Sequence, residues 1–185
     1  MINYNPLCFL CCFVLPIFLF VYPTNASSRN NATPLVDQVC ANTSNYSFCT
    51  ETLYSDPHTR DADRFGLAAV AFHLAYLNAT ATKDYIDNLL KKNSTSKSQY
   101  HKDLQKCASD YKKAVSAIGA ACDDLNSESY YDLADYVGVA SHRADDCQHA
   151  LKGKHDSLLN SMNNDLKGLC EICVVISKLF NTIGF

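Results

Sequence analysis

Tryptophan is absent from this 185-residue chain, proline occurs five times and glycine six. Without tryptophan, any interior has to be assembled from Leu, Ile, Val, Ala, Phe and Tyr. Scarce proline and glycine, with no stretch that alternates at period two, exclude a strand-rich chain punctuated by tight turns. Basic residues are few: 16 Lys and Arg stand against 19 Asp and Glu, a formal net charge of −3. They form no stripe, which argues against nucleic acid or an anionic membrane surface as partner. Catalytic signatures are missing as well. There is no Gly-rich phosphate loop, no Gly-x-Ser-x-Gly and no His-Glu-x-x-His. The six histidines (His58, His73, His101, His142, His149 and His155) share no metal-ligand spacing, so no metal, no cofactor and no enzymatic activity are expected.

The N-terminus reads as a targeting segment. Pro6 to Val21 is almost wholly apolar but short and proline-containing, and Tyr22 to Ser27 offers a small-residue cleavage site after Ala26. Residues 1–26 are therefore expected to be a signal peptide, and 27–34 a polar, flexible leader. No other stretch reads as long and apolar enough to span a bilayer, which predicts a secreted protein with no membrane association after cleavage. The remaining 159 residues or so suit one domain with a sizeable core. Sequons at Asn25, Asn31, Asn42, Asn45, Asn78 and Asn93 fit secretion. Asn25 abuts the cleavage site, Asn42 and Asn45 crowd each other, and Asn93 lies in a polar turn.

Hydrophobic periodicity organises the rest of the chain. Leu35 to Cys40 and Tyr46 to Tyr54 read as two short helices, too short to stand alone and closed into a hairpin by a Cys40–Cys49 bridge. Ser55-Asp56-Pro57 ends the second, because the residue before proline avoids the helical region. From Asp61 a long helix carries the stripe Leu67, Val70, Leu74, Leu77 and Ala81, continuing through Ile86, Leu89 and Leu90. Leu104, Cys107, Tyr111, Ala114, Ile118, Ala121 and Leu125 mark the next. Leu133, Val137, Ala140, Ala144, Cys147 and Leu151 mark another, after a turn at Asn126 to Ser129 in which Ser129 is the expected N-cap. The last stripe runs Leu159, Met162, Leu166, Leu169, Cys173, Ile176, Phe180 and Ile183. Each spacing lays an apolar line along one helix face. Four long amphipathic helices with short connections predict an all-α, up-down-up-down four-helix bundle over 61–185, with the disulfide-closed helical hairpin at 35–57 as an appendage.

Cys107 and Cys147 lie about 20 residues on either side of the central turn, so in an antiparallel pair they stand at one height, roughly 30 Å up. A bridge there requires Cα atoms about 5.5–6 Å apart, an approach that the small neighbours Ala108, Ala144 and Ala150 permit. Ten cysteines occur in all, three of them (Cys8, Cys11, Cys12) in the leader. The mature seven are odd in number, leaving Cys122, Cys170 and Cys173 over. Cys170-Glu171-Ile172-Cys173 has C-x-x-C spacing but sits mid-helix without a second pair, which predicts buried, inert thiols. Cys122 is the candidate for a further or intermolecular bridge. Asp123-Asp124 and Asp145-Asp146 read as solvated faces or as contacts for a basic partner. A secreted, stapled bundle without an active site is expected to work by binding.

The sequence resembles the plant invertase and pectin methylesterase inhibitor family across the whole mature chain. Val39-Cys40 through Phe48-Cys49 resembles its N-terminal hairpin, and Ser55-Asp56-Pro57 with Ala62-Asp63 and Gly66-Leu67 resembles the lead into its bundle. Leu104 to Cys107 with Tyr111 and Ala114, then Tyr130-Tyr131 with Cys147, resemble its third- and fourth-cysteine motifs. Leu169 to Ile172 and Val174 to Leu179 resemble its last helix. The resemblance implies a helical bundle that occludes the active-site cleft of a cell-wall or vacuolar enzyme, with no chemistry of its own. The implied partner is a plant pectin methylesterase in the apoplast, bound one-to-one, with invertase as the alternative. Invertase inhibitors of the family carry Pro-Lys-Phe between the last two helices; this chain has Gly153-Lys154-His155 there. Contacts in the pectin methylesterase branch come from the two disulfide-linked helices, and the matching positions are Ser109, Lys113, Ser116, Asp146 and His149.

Overall fold

A computed structural model describes residues 33–92, 98–153 and 156–181. The leader 1–26, the following residues through Ala32 (Asn31 among them), Asn93, His155 and Ile183 lie outside those residues. Two short helices open the chain. Thr33 caps α1 (Pro34–Cys40), its side chain accepting from the Val36 N–H, with Pro34 set in the first turn where no N–H is needed. Asn45 caps α2 (Tyr46–Tyr54) by accepting from the Phe48 N–H at 3.0 Å. A disulfide joins Cys40 and Cys49 with Cα atoms 5.5 Å apart, and Val36, Val39 and Leu53 fill the space between the helices and the bundle. Asp56 is extended (ψ 123°), as the residue before proline should be, and Pro57–Asp61 forms a 3-10 turn.

Four long helices follow: α3 (Arg64–Lys92), α4 (Gln99–Asn126), α5 (Leu133–Ala150) and α6 (Ser157–Asn181). Each packs on the next in sequence and α6 closes back onto α3, an antiparallel four-helix bundle. No strand occurs among the described residues. The interior is lined by Leu104, Ile118, Leu133, Val137, Leu159, Leu166 and Ile176, all fully buried. A polar contact crosses it: the Tyr111 hydroxyl donates to Asn163 Oδ1 at 2.7 Å, both residues fully buried. The hairpin docks on α6. Phe48 lies against Gly168, where an added Cβ would come within 2.5 Å of the ring. Glu171 accepts from the Ser44 N–H and hydroxyl at 2.8 and 2.6 Å.

Four expectations change. α3 starts at Arg64 rather than Asp61, because Asp63 Oδ1 accepts from the Gly66 N–H and caps it there. Its buried face runs Leu67, Ala68, Ala71, Phe72, Ala75, Ala79, Thr82 and Ile86, while Leu77 is 49% exposed and Ala81 is exposed. From Phe65 to Thr82 the helix carries no charged residue, so two overlapping apolar lines compete and the alanine-rich one wins by close approach. For the same reason α3 is long and apolar enough to cross a membrane by composition, contrary to expectation, although 44% of that window is buried inside the bundle. Finally, Ser129 does not cap α5. Its N–H donates to the Asp124 carbonyl at 2.8 Å and that of Glu128 to Leu125 at 3.2 Å, a Schellman closure of α4 with Glu128 left-handed at φ 57°. The N-cap position of α5 falls to Asp132, which makes no side-chain cap bond.

Candidate functional site

The Cys107–Cys147 disulfide ties α4 to α5 with Cα atoms 4.5 Å apart. With Cα atoms on cylinders of about 2.3 Å radius, that puts the axes roughly 9 Å apart, so the bridge sits at ordinary helix spacing rather than demanding a closer approach. One turn along α4, Asp110 is 4% exposed yet paired with two basic side chains. Lys106 reaches its carboxylate at 2.8 Å from the same helix, and Arg143 at 3.6 Å from α5. Arg143 also pairs with Asp146 at 2.9 Å, and Lys106 donates to the Asp146 carbonyl at 3.3 Å. A cystine and an ion network thus clamp the same two helices side by side. Two charged helices joined only by charge would gain little at the surface; here the network shelters beside a covalent link.

The positions singled out on these helices divide. Ser109, Lys113 and Ser116 are exposed on α4, at steps of four and three that place them in one line. His149 is exposed on α5, its Nδ1 2.8 Å from the Asp145 carbonyl. Asp146 is only half-exposed and already committed to Arg143. Its neighbour Asp145 is held by Lys167 of α6 at 2.6 Å, so this acidic pair serves the bundle's own contacts. Asp123 is exposed and Asp124 partly so. Sequence reasoning passed over Val139, 44% exposed. Together with Asp135, His142 and His149 it completes an outward line on α5, legible as a second 3–4 spacing opposite the core stripe. It also passed over Asp110, whose signal was Lys106 four residues earlier.

Residues 34–176 match the plant invertase/pectin methylesterase inhibitor family. The chain belongs to that family. Its members are enzyme inhibitors, not enzymes. A pectinesterase inhibitor from Actinidia deliciosa is 28% identical over 90% of both chains. A cell wall / vacuolar inhibitor of fructosidase from Arabidopsis thaliana is 29% identical over 75% of this chain and 77% of that one. A crystal structure of a mutant pectin methylesterase inhibitor from Arabidopsis covers 80% of this chain and 97% of its own, with a TM-score of 0.71 and 22% identity, a likeness of fold.

The remaining thiols of this family member lie away from the α4–α5 face. Cys170 and Cys173 are buried in α6, where burial pushes the Cys170 thiol up to about 12 and raises Cys173 as well. A thiol so held is a poor nucleophile. Cys122 is partly exposed and lines a groove of about 530 Å³ with Phe72, His73 and Leu125. Among the described residues no group of histidine, cysteine and carboxylate side chains is placed to hold a metal ion. Of the sequons, Asn42 and Asn45 are exposed in the hairpin turn. Asn78 sits within α3, its Oδ1 buried without a partner.

Proposed function

We propose that the protein is a secreted inhibitor of a plant pectin methylesterase, held one-to-one across the enzyme's active-site cleft by the outer face of α4 and α5. The carrying observation is the doubly clamped pair. A disulfide with its Cα atoms 4.5 Å apart and the Lys106, Asp110, Arg143, Asp146 network fix two helices whose outward lines carry Ser109, Lys113, Ser116 and His149. A rigid surface loses little conformational freedom on docking, which favours a blocking protein. The likeness to the Actinidia pectinesterase inhibitor over nine-tenths of both chains supports this target, as does the lack of Pro-Lys-Phe before α6. Family members act on cell-wall or vacuolar enzymes, and the expected signal peptide supports the cell wall as the location of this one. The Arabidopsis fructosidase inhibitor, equally similar, favours invertase as the second reading.

Titration of the protein against both enzymes separates the two. Loss of pectin methylesterase activity at an equimolar ratio, with invertase unaffected, is expected. Full methylesterase activity at micromolar inhibitor would overturn the assignment, and invertase inhibition in the same assay would establish the alternative.

A further inference from the structure

The turn that joins α1 to α2 overhangs a groove of about 450 Å³ between the hairpin and the bundle, lined by Asn45, Ser141, Asn164 and Asp165. That volume falls among those of small-ligand sites, about 300–1,000 Å³. Two charged residues on its rim are already engaged: Lys167 with Asp145 at 2.6 Å and Glu171 with Ser44 at 2.8 and 2.6 Å. The rest of the lining combines the apolar Phe48, Gly168 and Ile172 with neutral hydroxyl and amide groups and the Asp165 carboxyl. Such a mixed lining suits a neutral sugar, with apolar ring faces and hydroxyl edges, better than an ion.

Asn45 supplies one. It begins the sequon Asn45-Tyr46-Ser47 and is exposed. Its cap on α2 uses Oδ1 and leaves Nδ2 out of that bond. The rival sequon three residues earlier differs: Asn42 Nδ2 is engaged with the Gln38 carbonyl at 2.8 Å. In Asn78-Ala79-Thr80, Asn78 Oδ1 and Thr80 Oγ1 are both buried. We infer that Asn45 carries an N-linked glycan whose first N-acetylglucosamine seats in this groove, fastening the hairpin to α5 and α6. In the transfer, the bond from Asn45 Nδ2 to C1 of the sugar forms and the C1–O bond to a lipid pyrophosphate donor breaks. The amide gives up one proton and the lipid pyrophosphate leaves. The inference requires passage through the secretory route but no inhibited enzyme, so it stands or falls apart from the target.

The test uses full-length protein secreted from a plant host. Glycopeptide mapping is expected to find sugar at Asn45 and none at Asn42 or Asn78. Peptide N-glycosidase should release the Asn45 glycan about tenfold more slowly from native protein than from S141W, whose indole fills the groove. Because S141W could misfold, a second variant is measured. S47A abolishes the sequon, keeps the Asn45 cap and should leave the 41–45 turn open to faster limited proteolysis. A bare Asn45 overturns the inference. So does release at one rate from native protein and folded S141W, or equal proteolysis of S47A and glycosylated protein.

Discussion

The two cystines do different work on similar material. Cys40–Cys49 closes a separation of nine residues in a hairpin of two short helices, which is held to the rest by the buried Val36, Val39 and Leu53 and by Phe48 on Gly168 and Ser44 on Glu171. Cys107–Cys147 closes a separation of 40 between helices that already share a fully buried interior. The first makes a structure possible; the second stiffens one that exists. Loop-closure entropy gives the longer ring about 4 kcal/mol and the shorter about 2–3. The size of the ring therefore does not tell which bond the local fold depends on more.

Cutting each bond in turn breaks the comparison most sharply. C107A/C147A is expected to lower global stability by about 4 kcal/mol in denaturant unfolding while the helical content of the bundle stays. C40A/C49A should instead release the hairpin alone, seen as loss of hydrogen-exchange protection in α1 and α2 with the α4 and α5 amides unchanged. A common, simultaneous loss in both variants would show that the two regions unfold as one. Next in size is G168A. Its Cβ meets the Phe48 ring, and overpacking of about 1–3 kcal/mol should fall on the hairpin's docking. Tyr111→Phe addresses the bundle alone. It leaves the buried Asn163 Oδ1 without its donor and should cost about 1–3 kcal/mol, with hairpin protection unaltered. Adding Asn163→Leu should recover part of that loss, because both partners are then apolar. The smallest effect has the opposite sign. Glu128→Gly relieves the left-handed φ of 57° at the end of α4 and should stabilise by about 0.5–1 kcal/mol in thermal unfolding.

How legible these regions were in the sequence depends on the same division. The core stripes of α4, α5 and α6 stand out because charged residues flank them, and Leu104, Ile118, Leu133, Val137, Leu166 and Ile176 all lie in the interior. Cysteines equally far from a turn meet in an antiparallel pair, and chain distance alone carries that information. α3 hides its register, since eighteen residues without charge offer no charged face to exclude, and Ala68, Ala71, Ala75 and Ala79 are buried while Leu77 faces solvent. Ser129 misled because one serine serves either neighbouring helix; the left-handed Glu128 decided for α4, and a glycine there would have announced it. At the candidate face, exposure of Ser109, Lys113, Ser116 and His149 could be read from helical phase. The spacing of Arg143 and Asp146 on α5 could be read as well, but the reach of Arg143 to Asp110 could not, because it requires α4 and α5 to be packed side by side. The docking of Phe48 on Gly168 spans 120 residues, and no local pattern encodes it.

The α4–α5 pair is joined at both extremities, by the short connection 127–132 at one end and the cystine near the other. Two rods joined once can scissor about the joint. Joined twice, they make a closed frame in which neither shear nor twist is free. Spacing between side chains on the outer surface is then set before any encounter. A protein that blocks a cleft with such a frame associates at a rate governed by collision and orientation, not by waiting for its own surface to assemble.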